Sequence, residues 1–166
     1  LFGDGAGAFV VEAVEEKVAD ERGVIASYLR CDGDLVDLLY VDGGVSSTGT
    51  AGHVRMQGNK VFREAVTRIS EAMETVARQA GVAPTDIDWF VPHQANERII
   101  QGVVRKLDLR PDQVISTISG QGNTSAASIP LAYCQGVADG RIKKGDLVML
   151  EAMGGGITWG AALLRA

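Results

Sequence analysis

The sequence predicts an α/β layered domain built on a mixed sheet, and three observations carry that expectation. Short apolar runs alternate with stretches of helical period in the order β, β, α, β, α, β, α, β, β. The interior runs are nearly continuous in Val, Ile and Leu, as strands covered on both faces must be. With 166 residues, 46% of them hydrophobic, the chain can bury one sizeable core and fits a single domain.

Each element has its own warrant. Gly3, Gly5 and Gly7 alternate ahead of an apolar run, but a phosphate loop needs Gly-Lys-Ser/Thr opening a helix, and a dinucleotide fingerprint needs a strand before it and a helix after it. Ala8, Phe9, Val10 and Val11 continue instead as β-like sequence, so these glycines read as sites of close backbone packing. A charged turn at 15–22 leads to a strand over 23–31. Residues 32–52, rich in Gly, Ser, Thr and Asp, read as a long surface excursion, with His53 at its end as a loop residue. Val61, Phe62, Ala65, Val66, Ile69, Ala72, Met73, Val76, Ala77 and Ala80 keep a helical period, with Asn59 available as cap and Gly81 as stop. Residues 88–91 form a short buried strand that Pro92 ends, and Ile99, Ile100, Val103, Val104 and Leu107 announce a helix. Pro111 and Asp112 mark a turn before a strand over 114–118. The next helix ends near Gly140 and begins either near Thr124, tolerating an early Pro130, or near Ser128; the sequence leaves both open. Apolar runs at 146–152 and 157–164, separated by Met153 and three glycines, make a final hairpin.

Composition excludes several functions. No run of about 18 apolar residues occurs and no basic-then-apolar leader opens the chain, so neither a membrane span nor secretion is expected. A formal charge of -5 argues against nucleic acid as a partner. Cys31 and Cys134 cannot build a disulfide framework, which suits a reducing, cytoplasmic setting. Two separated histidines and two separated cysteines give no metal-ligand cluster.

Three features converge beyond strand ends: His93, Asn123 and the glycines at 154–156. A site at one edge of an α/β sheet requires that placement. Neutral His, Asn and bare backbone N–H groups all donate hydrogen bonds, a set suited to stabilising developing negative charge on oxygen. Acyl transfer or enolate chemistry follows naturally. The plainer readings are a packing histidine, an Asn that only caps a helix, and glycines that only make a turn.

Four longer motifs sharpen this. Leu-Phe-Gly-Asp-Gly-Ala-Gly-Ala at the start, Val-Pro-His-Gln-Ala-Asn at 91–96, Gly-Asn-Thr-Ser-Ala-Ala-Ser at 122–128 and Glu-Ala-Met-Gly-Gly-Gly-Ile-Thr-Trp-Gly at 151–160 occur together and in order. In these the chain resembles the carboxy-terminal half of the β-ketoacyl-acyl-carrier-protein synthase III family, from residue 1 to residue 166. The resemblance implies a thiolase-like layered fold with a mixed sheet, one half of a pseudo-symmetric core that assembles as a homodimer. It implies condensation of an acyl-CoA, usually acetyl-CoA, with malonyl-acyl-carrier protein, with loss of carbon dioxide, to start a fatty-acid chain. The coenzyme A thioester is then substrate, and no resident cofactor or metal is implied.

Carried over position by position, the resemblance makes His93 and Asn123 the groups that hold the malonyl thioester oxygen as decarboxylation makes it enolate-like. It gives the Gly155 N–H to the oxyanion hole, and Gly58, Phe62 and Asn96 to the lining of the pantetheine tunnel. Arg63, Arg98, Arg105 and Lys106 match the basic patch that docks the acidic carrier protein, where a solvated helix face is the ordinary reading. The family's nucleophilic cysteine belongs to the other half. Neither Cys31 nor Cys134 has the small-residue setting at a helix start that it needs, so the chain alone is expected to be inactive and part of a longer protein. Two alternatives stay open: a related synthase with another acyl starter or acceptor, and a non-catalytic module that binds coenzyme A thioesters or the carrier protein.

Overall fold

The structure is a computed structural model that describes residues 2–13 and 22–166; nearly all of the expected charged turn lies outside the described residues. Strand β1 (Gly23–Cys31) leads to a short 3-10 turn (Gly33–Leu38), then β2 (Leu39–Val41) and β3 (Val54–Met56). Helix α1 (Gly58–Ala80), β4 (Trp89–Pro92) and α2 (Glu97–Lys106) follow, then the single turn α3 (Ile118–Gln121), α4 (Ser128–Ala138), β5 (Leu147–Gly154) and β6 (Thr158–Arg165). The main sheet runs β1-β6-β5-β4, with β4 parallel to β5 and the other pairs antiparallel, so it is mixed as expected.

Alternation along the strands divides the core in two. Phe90, Met149, Trp159, Ala161 and Leu163 face α1 and α2, meeting Ala65, Ile69, Met73, Val76, Ile100, Val103 and Val104. Val91 and Val148 face the other way, onto Ala132 of α4 with Ile115 and Ile142. At roughly 1.5–3 kcal/mol for each fully buried large aliphatic or aromatic side chain, these two layers supply the main driving force for the fold.

Several expectations need correction. Asn59 does not cap α1; the cap is Gln57, whose carbonyl takes the N–H groups of Lys60 and Val61 while its own N–H is tied to Leu38. Gly81 does stop the helix, in the left-handed region at φ 72°. The excursion at 32–52 is less bare than expected, because β2 pairs with β3 across it. Residues 8–11 have no sheet partner among the described residues, and Val10 and Val11 are 99% and 82% exposed. The glycines before them do lie close-packed, with Cβ positions that would run into the Gln121 carbonyl, Thr124 and Pro130.

Residues 114–118 do not form a strand. Val114 and Ile115 touch β4 through one bridge and one hydrogen bond, Ile115 N–H to Phe90 O at 2.9 Å, and then the chain leaves the sheet. Pro92 has no N–H to offer a continuing ladder, and the side chain of Gln94 takes the N–H groups of Thr117 and Ile118 instead. Of the two starts open for the next helix, the later holds: a 3-10 turn covers Ser125–Ala127 and α4 begins at Ser128, which keeps Pro130 in the first turn.

Candidate active site

His93 stands one residue beyond β4, and the ladder reaches it, with its N–H donating to Glu151 O at 2.8 Å. It follows Val91 in the two-residue period, so its ring faces α4 and not α1. There Nδ1 lies 2.6 Å from Ser128 Oγ, the first side chain of α4. The Gln94 N–H donates to the same Oγ at 3.2 Å. Burial holds the imidazole pKa below its ordinary value, so the ring is neutral at pH 7 and each nitrogen is either donor or acceptor.

Gln94 organises the corner and was not singled out from sequence. It is fully buried, and its Oε1 accepts from Thr117 N–H at 2.8 Å and Ile118 N–H at 3.1 Å. Its Nε2 donates to Pro92 O at 2.8 Å and Ile115 O at 3.2 Å. One amide thus clamps the end of β4 to the segment that leads toward Asn123. The signal for it was parity: extending the period of β4 past Pro92 puts residue 94 on the inward side with Phe90.

Asn123 lies half-buried between Gly122, at φ 67°, and Ser125, at φ 53°. Its Oδ1 accepts from Ser125 N–H at 2.9 Å and its backbone carbonyl accepts from Gly3 N–H at 3.0 Å. That fixes the carboxamide orientation and leaves Nδ2 without a hydrogen-bond partner among the described residues. No hydrogen bond joins His93 to Asn123 among the described residues; segment 123–128 links them, carrying Asn123 at one end and Ser128 at the other.

Gly155 lies exposed in the turn between β5 and β6, with its Cβ position 2.9 Å from the Leu39 carbonyl oxygen. Just before that turn Glu151 is 3% exposed, and its Oε2 has no hydrogen-bond partner. Burial pushes its carboxyl up to about 8. Nothing in the sequence reading singled out this group.

The remaining expected residues separate into two sets. Phe62, Arg98 and Arg105 come together with Glu97 and Gln101 around a cleft of about 360 Å³ where α1 meets α2, and the Arg98 guanidinium sits 5.7 Å from the Phe62 ring centre. Gly102 permits that approach, since a Cβ there would overlap Val66. Arg63 and Lys106 are exposed but do not line the cleft. Gly58 opens α1 and is not among the lining residues, and Asn96 is occupied as the cap of α2, its Oδ1 accepting from Arg98 N–H at 2.9 Å. Among the described residues no cluster of ligands could hold a metal ion, and no helix is long and apolar enough to cross a membrane.

Residues 77–166 match the family model described as 3-oxoacyl-[acyl-carrier-protein] synthase III C terminal. The chain is 60% identical over 166 residues to the β-ketoacyl-[acyl-carrier-protein] synthase III of Caulobacter vibrioides, covering 99% of itself and 52% of that protein. It therefore spans about half the length of the curated relatives it matches. Among solved structures it superposes on the 3-oxoacyl-[acyl-carrier-protein] synthase III of Aquifex aeolicus with a TM-score of 0.82 at 39% identity, covering 90% of this chain and 46% of that one. A priming β-ketosynthase from the R1128 polyketide pathway superposes with a TM-score of 0.78 at 30% identity, covering 86% and 45%.

Proposed function

Because the chain belongs to the 3-oxoacyl-[acyl-carrier-protein] synthase III family and has its thiolase-like fold, we propose that it is the carboxy-terminal half of a condensing acyltransferase. The complete protein joins an acyl-CoA, acetyl-CoA in the first instance, to malonyl-acyl-carrier protein. It acts in the cytoplasm as a homodimer, and its coenzyme A thioester is a substrate and not a cofactor.

The observation that carries this reading is the neutral, partly buried His93 at the carboxyl end of β4, joined through segment 123–128 to an Asn123 whose Nδ2 is uncommitted. In the reaction, the bond from the malonyl carboxylate to its α-carbon breaks and carbon dioxide leaves. The electron pair delocalises onto the thioester oxygen, and the α-carbon then attacks the acyl thioester on the cysteine of the other half, expelling thiolate. Two uncharged side-chain donors, His93 Nε2–H and Asn123 Nδ2–H, stabilise that oxygen without an acid strong enough to quench the carbanion. The Gly155 N–H serves the second oxyanion, at the acyl thioester. The cleft of Phe62, Arg98 and Arg105, flanked by Arg63 and Lys106, receives the acidic carrier protein, and Gly58, Phe62 and Asn96 border the path of its pantetheine arm. Likeness to the polyketide priming enzyme supports a second reading, a synthase of the same chemistry that takes a different acyl starter.

The test uses the full-length protein with His93→Ala and Asn123→Ala. Each is expected to lower malonyl decarboxylation by roughly 10²- to 10³-fold, the usual loss for one oxyanion donor, while acyl transfer to the cysteine is unchanged. Decarboxylation that persists at the wild-type rate in both variants removes the assignment.

A further inference from the structure

His93 can serve as a donor toward substrate only if its proton is on Nε2, and the protein must choose between two tautomers of nearly equal intrinsic energy. Ser128 is the residue that meets Nδ1. Its hydroxyl is fully buried, so no solvent competes for its proton. Its oxygen meets two groups: the Gln94 N–H at 3.2 Å, which can only donate, and His93 Nδ1 at 2.6 Å, which can do either. The Gln94 bond uses one lone pair and leaves the hydroxyl proton to be placed. The nearby helical carbonyls are already engaged, Thr124 O by Ala127 N–H and Ser125 O by Ser128 N–H, and no bond runs from Ser128 Oγ to either among the described residues. A buried hydroxyl that only accepts would leave its own proton unpaired, at a cost of about 1–3 kcal/mol.

We infer that Ser128 donates its hydroxyl proton to His93 Nδ1 and so holds the imidazole as the Nε2–H tautomer, making Ser128 a positioning residue for the decarboxylation step. The consequence for catalysis rests on the role given to His93 above; the tautomer itself does not. The order of the network is then fixed from one end. Gln94 N–H donates to Ser128, Ser128 donates to Nδ1, and Nε2–H, with no partner among the described residues, faces outward as a donor. With Ser128 absent nothing disfavours the Nδ1–H tautomer, and that tautomer places the Nε2 lone pair where the enolate oxygen needs a proton donor.

Nitrogen-15 NMR of ring-labelled full-length protein reads this directly, with His93→Gln used to assign the signals. Wild type is expected to show Nδ1 in the unprotonated range and Nε2 in the protonated range. Ser128→Ala is expected to move both toward intermediate values and to lower malonyl decarboxylation roughly 10- to 100-fold, as loss of an orienting partner does elsewhere, with acyl transfer to the cysteine retained. A protonated Nδ1 in wild type overturns the inference even if Ser128→Ala fails to fold, and so does an unchanged tautomer in a folded Ser128→Ala. The predicted tautomer together with unaltered decarboxylation in His93→Ala leaves the hydrogen-bond assignment standing and removes the functional reading instead.

Discussion

Strands β4 and β5 run parallel and end at the same edge of the sheet, yet their ends are built in opposite ways. Beyond β4, side chains do the work: the Gln94 side chain makes five hydrogen bonds, the Ser128 hydroxyl makes two, and His93 is held by backbone and ring. β5 ends on Gly154 and is followed by Gly155 and Gly156, three glycines with no side chains at all. Under the proposed function, the difference follows from what each end presents. A side-chain donor has rotamers and tautomers that have to be fixed by neighbours, whereas a backbone N–H is already fixed by the chain and needs only to be uncovered. One end is a network and the other a clearance.

If that contrast is right, breaking the network should cost more than crowding the clearance. Gln94→Leu keeps the volume and removes every side-chain bond, leaving two N–H groups and two carbonyls without those partners in a largely buried site. We expect about 3–4 kcal/mol of lost stability, from roughly 1–3 kcal/mol per stranded group with partial relaxation, measured by urea denaturation of the full-length protein. Gly155→Ala places a methyl 2.9 Å from the Leu39 carbonyl oxygen, so the turn must shift. Its expected cost is smaller, about 1–2 kcal/mol, with acyl transfer to the cysteine affected more than malonyl decarboxylation. Equal losses of stability in the two variants would erase the distinction.

A further effect is one of pH, and it has opposite signs at the two strand ends. Glu151 on β5 has its carboxyl raised from 4.5 to about 8, so the unfolded chain releases a proton that the folded protein keeps. Its contribution to stability is therefore full below about pH 4.5 and declines as pH rises toward 8. His93 is lowered from 6.5, so the unfolded chain binds the extra proton and stability declines as pH falls below 6.5. Glu151→Gln should flatten the alkaline side of the stability profile and leave the acid side unchanged; a profile altered only on the acid side would contradict the burial of a protonated carboxyl.

Legibility in the sequence followed the range of the interactions. Helix α1, the β4-to-α2 corner and the closing hairpin were readable because local periodicity and glycine or proline punctuation determine them. His93 and Gly155 do stand just past the ends of β4 and β5, as expected, whereas Asn123 follows the helical turn α3 and not a strand. Gln94, Ser128 and Glu151 were not readable, since what defines them is a partner 21 to 35 residues away or the burial of a group that usually faces water. The strand expected at 114–118 fails to form for the same reason: its composition is β-like, but Gln94 takes the N–H groups of Thr117 and Ile118. Residues 8–11 show the converse, a β-like sequence without a partner among the described residues.

The most direct test of the account is a crystal structure of the full-length protein with a malonyl thioester analogue that cannot lose carbon dioxide. The account predicts the thioester oxygen within about 2.7–3.1 Å of both His93 Nε2 and Asn123 Nδ2, with the Ser128 hydroxyl still on Nδ1. An analogue bound with its carboxylate on His93, or with its thioester oxygen on neither side chain, would contradict it.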